Sequence, residues 1–518
     1  MSESIFDASG APHPVESTEP APATFKRPAP PINGAKVIIA LFAAMLISAI
    51  VVAVGLAAGV RGGDVACLIW AALAITVSAI PLALDFGRPL QHRHLFLSMF
   101  AIAYTVNFVV PVLTLYIPAV GPMDPGAMSG SNLMPRDIAR GQWIALAGLI
   151  CFYAGYSLPV RSLVKPQLPR TGREWSQYPA LVVIFLLTLF GWAVFGAGSA
   201  GLIPRSAGTG WTAGIASLTV TASALLTATY LRYRSRAAWV LLLILVPGTT
   251  VVNFTTGSKT AVLLPITMVV MTWIIVHKRI RARWIAAGFI AIILLYPVAH
   301  FWRNDILEEN TLTMAHVMAN PGPAVDRTIA FLSSSRGGEY IAQGLDATGR
   351  RLDAIGICSV IIRDTPSISP FQNGRTLALI PISFIPRILW PGKPEIPIGR
   401  WITETYTIHG YKSESSLAAT WIGEFYLNFG LSGVVGGMLF MGALLRFLHE
   451  ILMRQNPSIP MIAVSAILIT TLMMGIQEAV ARSIMQPTIM LLPLLMTHGA
   501  VRLSGATRRI DLNERPPV

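Results

Sequence analysis

Between residues 302 and 418 the chain concentrates side chains able to hold an anion: Arg303, Arg327, Arg336, Arg350, Arg351, Arg363, Arg375, Arg387, Lys393, Arg400 and Lys412. A guanidinium keeps its charge and presents a planar fork of donors, so it grips an oxyanion bidentately where an ammonium acts as a point charge. Arg336, Arg350, Arg351, Arg375, Arg387 and Lys393 are the candidate anion binders. The alternative for each is an ordinary ion pair with Asp326, Glu339, Asp346, Asp353, Asp364 or Glu395. Two carboxylates stand out beside these cations. Asp353 follows the Arg350–Arg351 pair, where it could simply orient them, and Glu424 lies inside an otherwise apolar stretch. An ionisable group there is costly unless it is paired or functional. The plain alternative for Glu424 is a buried ion pair with Arg482 or with an arginine of the polar segment.

Other chemistries find no support. An Asp-x-Asp pair, the usual metal holder of sugar transferases, does not occur, so neither a zinc nor a magnesium centre is expected. His92 and His94 fall in a basic loop, where solvated anchors are the expected role. Gly257-Ser258-Lys259-Thr260 resembles the end of a phosphate-binding loop but lacks the upstream glycine at the required spacing. Cys67, Cys151 and Cys358 offer no disulfide framework.

The elements that must position these residues are membrane helices. Of 518 residues 53% are hydrophobic and only 12% charged, against about 25% charged in soluble proteins. Apolar runs of about 18 to 24 residues, the length needed to cross a hydrocarbon core of about 30 Å, start near Val37, Asp64, Leu95, Gly141, Ala180, Trp211, Ala237, Thr260, Trp284, Ala419, Pro460 and Gln486. The expected fold is all-α and polytopic, with about twelve transmembrane helices and one large outer loop that contains short helices. Residues 1–35 are Pro/Ala-rich and read as a disordered cytoplasmic tail; 36–301 hold helices 1–9, 302–418 one large outer loop, 419–503 helices 10–12, and 504–518 a second cytoplasmic tail.

The net charge of +14 is distributed by topology and implies no nucleic acid. Lys and Arg in short loops collect on the cytoplasmic side, and here they recur at every second loop: Arg88 and Arg93, then Arg161 to Arg173, Arg232 to Arg236, Lys278 to Arg283, Arg446 and Arg454, and Arg502 to Arg509. Both termini are therefore expected inside and the 302–418 loop outside, at a bacterial inner membrane. Within that loop Thr376 to Trp390 is apolar but broken by prolines and too short to span. Such backbone at membrane depth must line a cavity or be buried in protein. A re-entrant or interfacial segment ending at Trp390 and Lys393 is expected, where a lipid-borne anion would sit, with a packed helix of an outer domain as the alternative.

Three strings, Ile385 to Pro394 (IPRILWPGKP), Gly349 to Asp353 (GRRLD) and Trp421 to Gly430 (WIGEFYLNFG), resemble the Wzy-type polymerases of O-antigen and bacterial exopolysaccharide. The many spans and the large outer loop agree with that resemblance. It implies a metal-independent, cofactor-free glycosyltransferase that moves a growing glycan from one polyprenyl diphosphate to the sugar hydroxyl of a fresh lipid-linked repeat unit at the periplasmic face. Its expected partners are the polyprenyl-diphosphate-linked oligosaccharide, membrane lipid, a chain-length regulator and a flippase. Under this reading the six cations hold the departing diphosphate, and Asp353 or Glu424 serves the acceptor hydroxyl, with Glu478 and His409 as further candidates. Gly430 to Gly437 is expected to permit close helix packing. An O-antigen ligase is a weaker match, since the outer-loop histidine with its distant glycine is not reproduced after His409. A lipid-linked oligosaccharide flippase is the competing transport reading, although two similar halves are not seen. A structural subunit of an export complex would not depend on single arginines.

Overall fold

The computed structural model describes residues 32–57, 59, 63–116, 133–160, 162, 171–199, 217–254, 259–279, 322–333, 353–383, 385, 390, 398–407, 417 and 419–512. These residues are mostly helical. In chain order the helices are α1 (Gly34–Ala57), α2 (Gly63–Gly87), α3 (Leu95–Tyr104), α4 (Val110–Tyr116), α5 (Pro135–Ser157), α6 (Gln177–Ser199), α7 (Leu218–Tyr233), α8 (Arg236–Phe254) and α9 (Lys259–His277). They continue with α10 (Gly322–Ser333), α11 (Ala354–Asp364), α12 (Leu379–Ser383), α13 (Ile398–Tyr406), α14 (Trp421–Leu452), α15 (Ile459–Gly475) and α16 (Val480–Leu503). A π-helical turn, Thr105–Val109, joins α3 to α4.

Among the described residues, eight helical stretches are long and apolar enough to cross a membrane, and two shorter apolar helices accompany them. Their burial separates periphery from centre. Only 11% of the apolar window in α1 is covered by protein, against 72% in Leu95–Leu113, so α1 is a peripheral helix and α3 a central one. A helix apolar on every face is stable in this way only where lipid or protein surrounds it. The ninth expected span, from Trp284, lies outside the described residues.

The centre is built by α5 against α14, the most extensive helix pair. A Cβ on Gly442 would stand 2.1 Å from the Phe152 carbonyl oxygen, and one on Gly155 would stand 2.0 Å from that of Leu439. The backbones touch there, as small residues permit between membrane helices. Into the same centre enters α11, whose residues from Ala354 to Ile362 are all buried, packed on α5, α14 and the π-helical turn. The outer loop was expected to contain short helices; 354–362 is one, and it is buried in the core.

At the opposite end of α14, two strands, β1 (Thr171–Trp175) and β2 (Thr507–Asp511), pair antiparallel with Thr171 opposite Asp511 and Trp175 opposite Thr507. The segment read as a tail from residue 504 thus contributes a strand. Glu174 is fully buried beneath this ribbon, with an ion pair of 3.2 Å to Arg232 and hydrogen bonds from the amides of Trp175 and Ile459.

Candidate functional site

The site follows from how α14 begins. Thr420 adopts a left-handed φ of 59° and its hydroxyl oxygen accepts from the Gly423 amide, capping the helix. Its own amide donates to Gln477 O, and that of Trp421 to Ile476 O, so the helix start is laced to the turn between α15 and α16. The Trp421 indole donates to Ser483 Oγ at 2.7 Å. Glu424 completes the lock: its Oε2 accepts from the Val480 amide at 2.6 Å, the first residue of α16. A carboxylate at that place satisfies an amide left open by the helix and meets the positive end of its dipole.

Eight residues later α14 breaks. Phe429 (φ −139°, ψ 17°) and Gly430 (φ 63°, ψ −147°) leave the helical region, and Gly430 supplies the left-handed conformation that a side chain would strain. Residues 421–428 are thus a short, buried helix folded back on the longer 431–452 stretch. A Cβ on Gly433 would lie 2.2 Å from the Phe425 carbonyl oxygen, and one on Gly437 would lie 2.5 Å from the Phe425 ring. The glycine run was expected to serve packing between helices; part of it makes room for the fold-back of α14 on itself.

The break frees carbonyls that need donors, and residues 372–376 provide them. The Gln372 amide donates to Leu427 O and the Asn373 amide to Asn428 O. The Asn428 side chain accepts from the Gly374 amide at 2.9 Å and donates to Thr376 Oγ1 at 2.7 Å and to Glu424 O at 2.8 Å. The Thr376 side chain also acts on Glu424, whose Oε1 is left without a hydrogen bond of good geometry. Arg375 is exposed on this pinned turn. Leu379–Ser383 continues as a short helix against α16, so the described start of the expected re-entrant segment lies beside a membrane helix.

Asp353 caps α11. Its Oδ1 accepts from the Gly356 amide at 2.6 Å, while Oδ2 is buried without a partner among the described residues. Burial, only partly offset by that amide, pushes its carboxyl up to about 7. Burial likewise pushes the Cys358 thiol, next to the Thr420 side chain, up to about 12, so it is an inert packing group.

Of the six expected anion-binding cations only Arg375 is described; Arg336, Arg350, Arg351, Arg387 and Lys393 lie outside the described residues, as does His409. Of the partners that the plain alternative gave Glu424, Arg482 pairs instead with Glu478 at 3.5 Å, and Glu424 has no salt bridge among the described residues. Asp353, expected to orient Arg350 or Arg351, has the helix cap as its described role. Arg363 and Arg400 follow the plain alternative, pairing with Asp364 at 2.7 Å and Glu404 at 2.8 Å. No group of three or more His, Cys, Asp or Glu side chains suited to a metal occurs among the described residues.

His94 is also corrected. It is not a solvated anchor but stacks on His449 with ring centroids 4.7 Å apart, within reach of Tyr156 OH and Arg446 Nη1, each 3.0 Å from its Nδ1. Its partners lie far along the chain, and the Arg446-x-x-His449 spacing on one helix face was the one available signal.

No curated protein and no solved structure matches this chain. Residues 132–452, from before α5 through the end of α14, match the model of a family described as a domain of unknown function (DUF8712), which spans both partners of the central pair, α11 and the broken helix. The match extends over more than half of the sequence, and the chain therefore belongs to the DUF8712 family.

Proposed function

We propose that this membrane protein is a glycan polymerase of the bacterial inner membrane, with twelve spans, both termini cytoplasmic and residues 302–418 at the periplasmic face. It transfers a growing chain from a polyprenyl diphosphate to the hydroxyl of a new lipid-linked unit. The observation carrying this reading is that residues 353–383, part of the cation-rich segment, are built into the helical core. Helix α11 is buried against α5 and α14, and residues 372–376 are hydrogen-bonded to the break in α14. Asp353, Arg375 and Glu424 thereby share one frame, and pre-positioning of this kind is what a transfer reaction needs.

In this mechanism Arg375 joins Arg336, Arg350, Arg351, Arg387 and Lys393 in holding the diphosphate, whose charge grows as the glycosidic bond breaks. Asp353 takes the acceptor hydroxyl proton: a carboxyl near 7 with one oxygen to which no described residue donates is matched to that task. Glu424, 0% exposed and bound to the α16 amide, is assigned to holding the helix mouth in place.

The test is purified protein in liposomes supplied with lipid-linked repeat units. Wild type yields a ladder of glycan lengths, and Asp353→Asn and Arg375→Ala each shorten it or abolish it while the folded protein persists. A second reading, a flippase for the lipid-linked unit, is favoured by the broken helix, a device that transporters place at their substrate sites. Wild type that elongates nothing yet moves labelled lipid across the bilayer would establish it instead.

A further inference from the structure

A cavity of about 350 Å³ lies where β1, the turn from α14 to α15 and the last turns of α16 meet. Its lining divides by chemistry. Arg173, Arg454 and His498 supply cationic or donor groups, while Leu452, Met461 and Leu512 form an aliphatic wall. The Trp175 indole donates to His498 Nδ1 at 3.0 Å, so the neutral ring carries its proton on Nε2, its single donor. Arg502 and Arg173 both stand close enough to this ring for their charges to act on it. Glu174 does not cancel them: adjacent strand residues point to opposite faces, and its carboxylate is engaged by Arg232 and two amides.

The cavity sits at the ends of α14 and α16, both long and apolar enough to cross a membrane, and of the shorter apolar helix α15. A site half cationic and half aliphatic, at that level, matches a molecule that is itself half phosphate and half hydrocarbon. We propose that it binds one anionic phospholipid, its phosphate between Arg173 and Arg454 and the upper part of its acyl chains along Leu452, Met461 and Leu512. A free phosphate would leave the aliphatic wall unused. The site is remote from the broken start of α14 and independent of the polymerase reading.

Native mass spectrometry of the full chain, released from nanodiscs with equal amounts of phosphatidylglycerol and phosphatidylcholine, tests this. One phosphatidylglycerol is retained per chain in preference to phosphatidylcholine. Arg173→Gln with Arg454→Gln lowers that retention by roughly fivefold per guanidinium, whereas Arg482→Gln, at the other end of α16, leaves it unchanged. Equal retention of the two lipids, or undiminished retention in the double variant, overturns the proposal. So does displacement of the lipid by excess inorganic phosphate, which marks a site for free anions. Met461→Trp fills the aliphatic wall without touching a charge, and its loss of bound lipid decides the matter if the double variant does not fold.

Discussion

Two glutamates of this protein are each 0% exposed, and their surroundings are opposite. Glu174, under the β-ribbon, faces the Arg232 guanidinium at 3.2 Å and accepts from two amides. Burial still pushes its carboxyl up, with the amides and Arg232 only partly opposing that push. Glu424, at the mouth of α14, has one amide, a neighbouring threonine and no salt bridge among the described residues. A buried charge with its counter-charge is a structural joint that is damaged by removing either half. A buried carboxylate without one persists in a membrane protein where its site needs it.

The contrast can be broken or sharpened by substitution, with unfolding in mixed micelles as the measure. Glu174→Ala strands Arg232 and is expected to cost about 3–5 kcal/mol, most of it recovered by adding Arg232→Met. If the single variant costs as little as a change at Glu424, the two sites are alike and the contrast is lost.

Asp353 gives the next largest effect and a pH signature. Its folded-state value of about 7 lies above the ordinary 3.8, so the folded protein disfavours the ionised form. Its contribution to stability is full below pH 4, falls as pH rises and is lost above 7. Asp353→Asn keeps a capping oxygen for Gly356 and removes the charge. It should therefore gain on wild type by roughly 2–4 kcal/mol between pH 4 and 8. A pH-independent difference would mean that this carboxyl titrates normally.

Smaller still is the fold-back of α14. Gly433→Ala drives a methyl against the Phe425 carbonyl and is expected to cost about 1–3 kcal/mol. Gly436→Ala, where a Cβ meets nothing within 4 Å, should stay within about 0.5 kcal/mol of wild type. Equal costs would argue for an unbroken helix. Smallest is Glu424→Gln, which keeps an acceptor for the Val480 amide and discards an uncompensated charge. Stability should change by less than about 1 kcal/mol.

Much of this architecture was legible in the sequence, because a membrane span advertises itself by length and apolarity alone. The runs from Val37, Asp64, Leu95, Ala180, Ala237 and Thr260 correspond to described helices that begin within a few residues of those positions. What escaped was nonlocal or short. The first nine residues of α11, all buried and all but Ser359 non-polar, were hidden by averaging over a long cationic segment, although Asp353 followed by Ala354 to Ile362 carries the signature of a capped helix. The break at Phe429–Gly430 left no mark, since glycine in an apolar helix is common. The β-ribbon pairs polar segments lying far apart in the chain, which periodicity cannot join. Asp353 and Glu424 were readable as unusual carboxylates; that one caps α11 while the other holds α16 required the backbone.

The ribbon also imposes an order on assembly. Its second strand, Thr507–Asp511, is translated after all the described helices, so the clamp over Glu174 and Trp175 closes only once α16 is in place. Until then a charged glutamate and a tryptophan indole stand uncovered on the growing chain. Closure of the ribbon thus comes after the described helices, and limited proteolysis during biogenesis would read whether it has occurred.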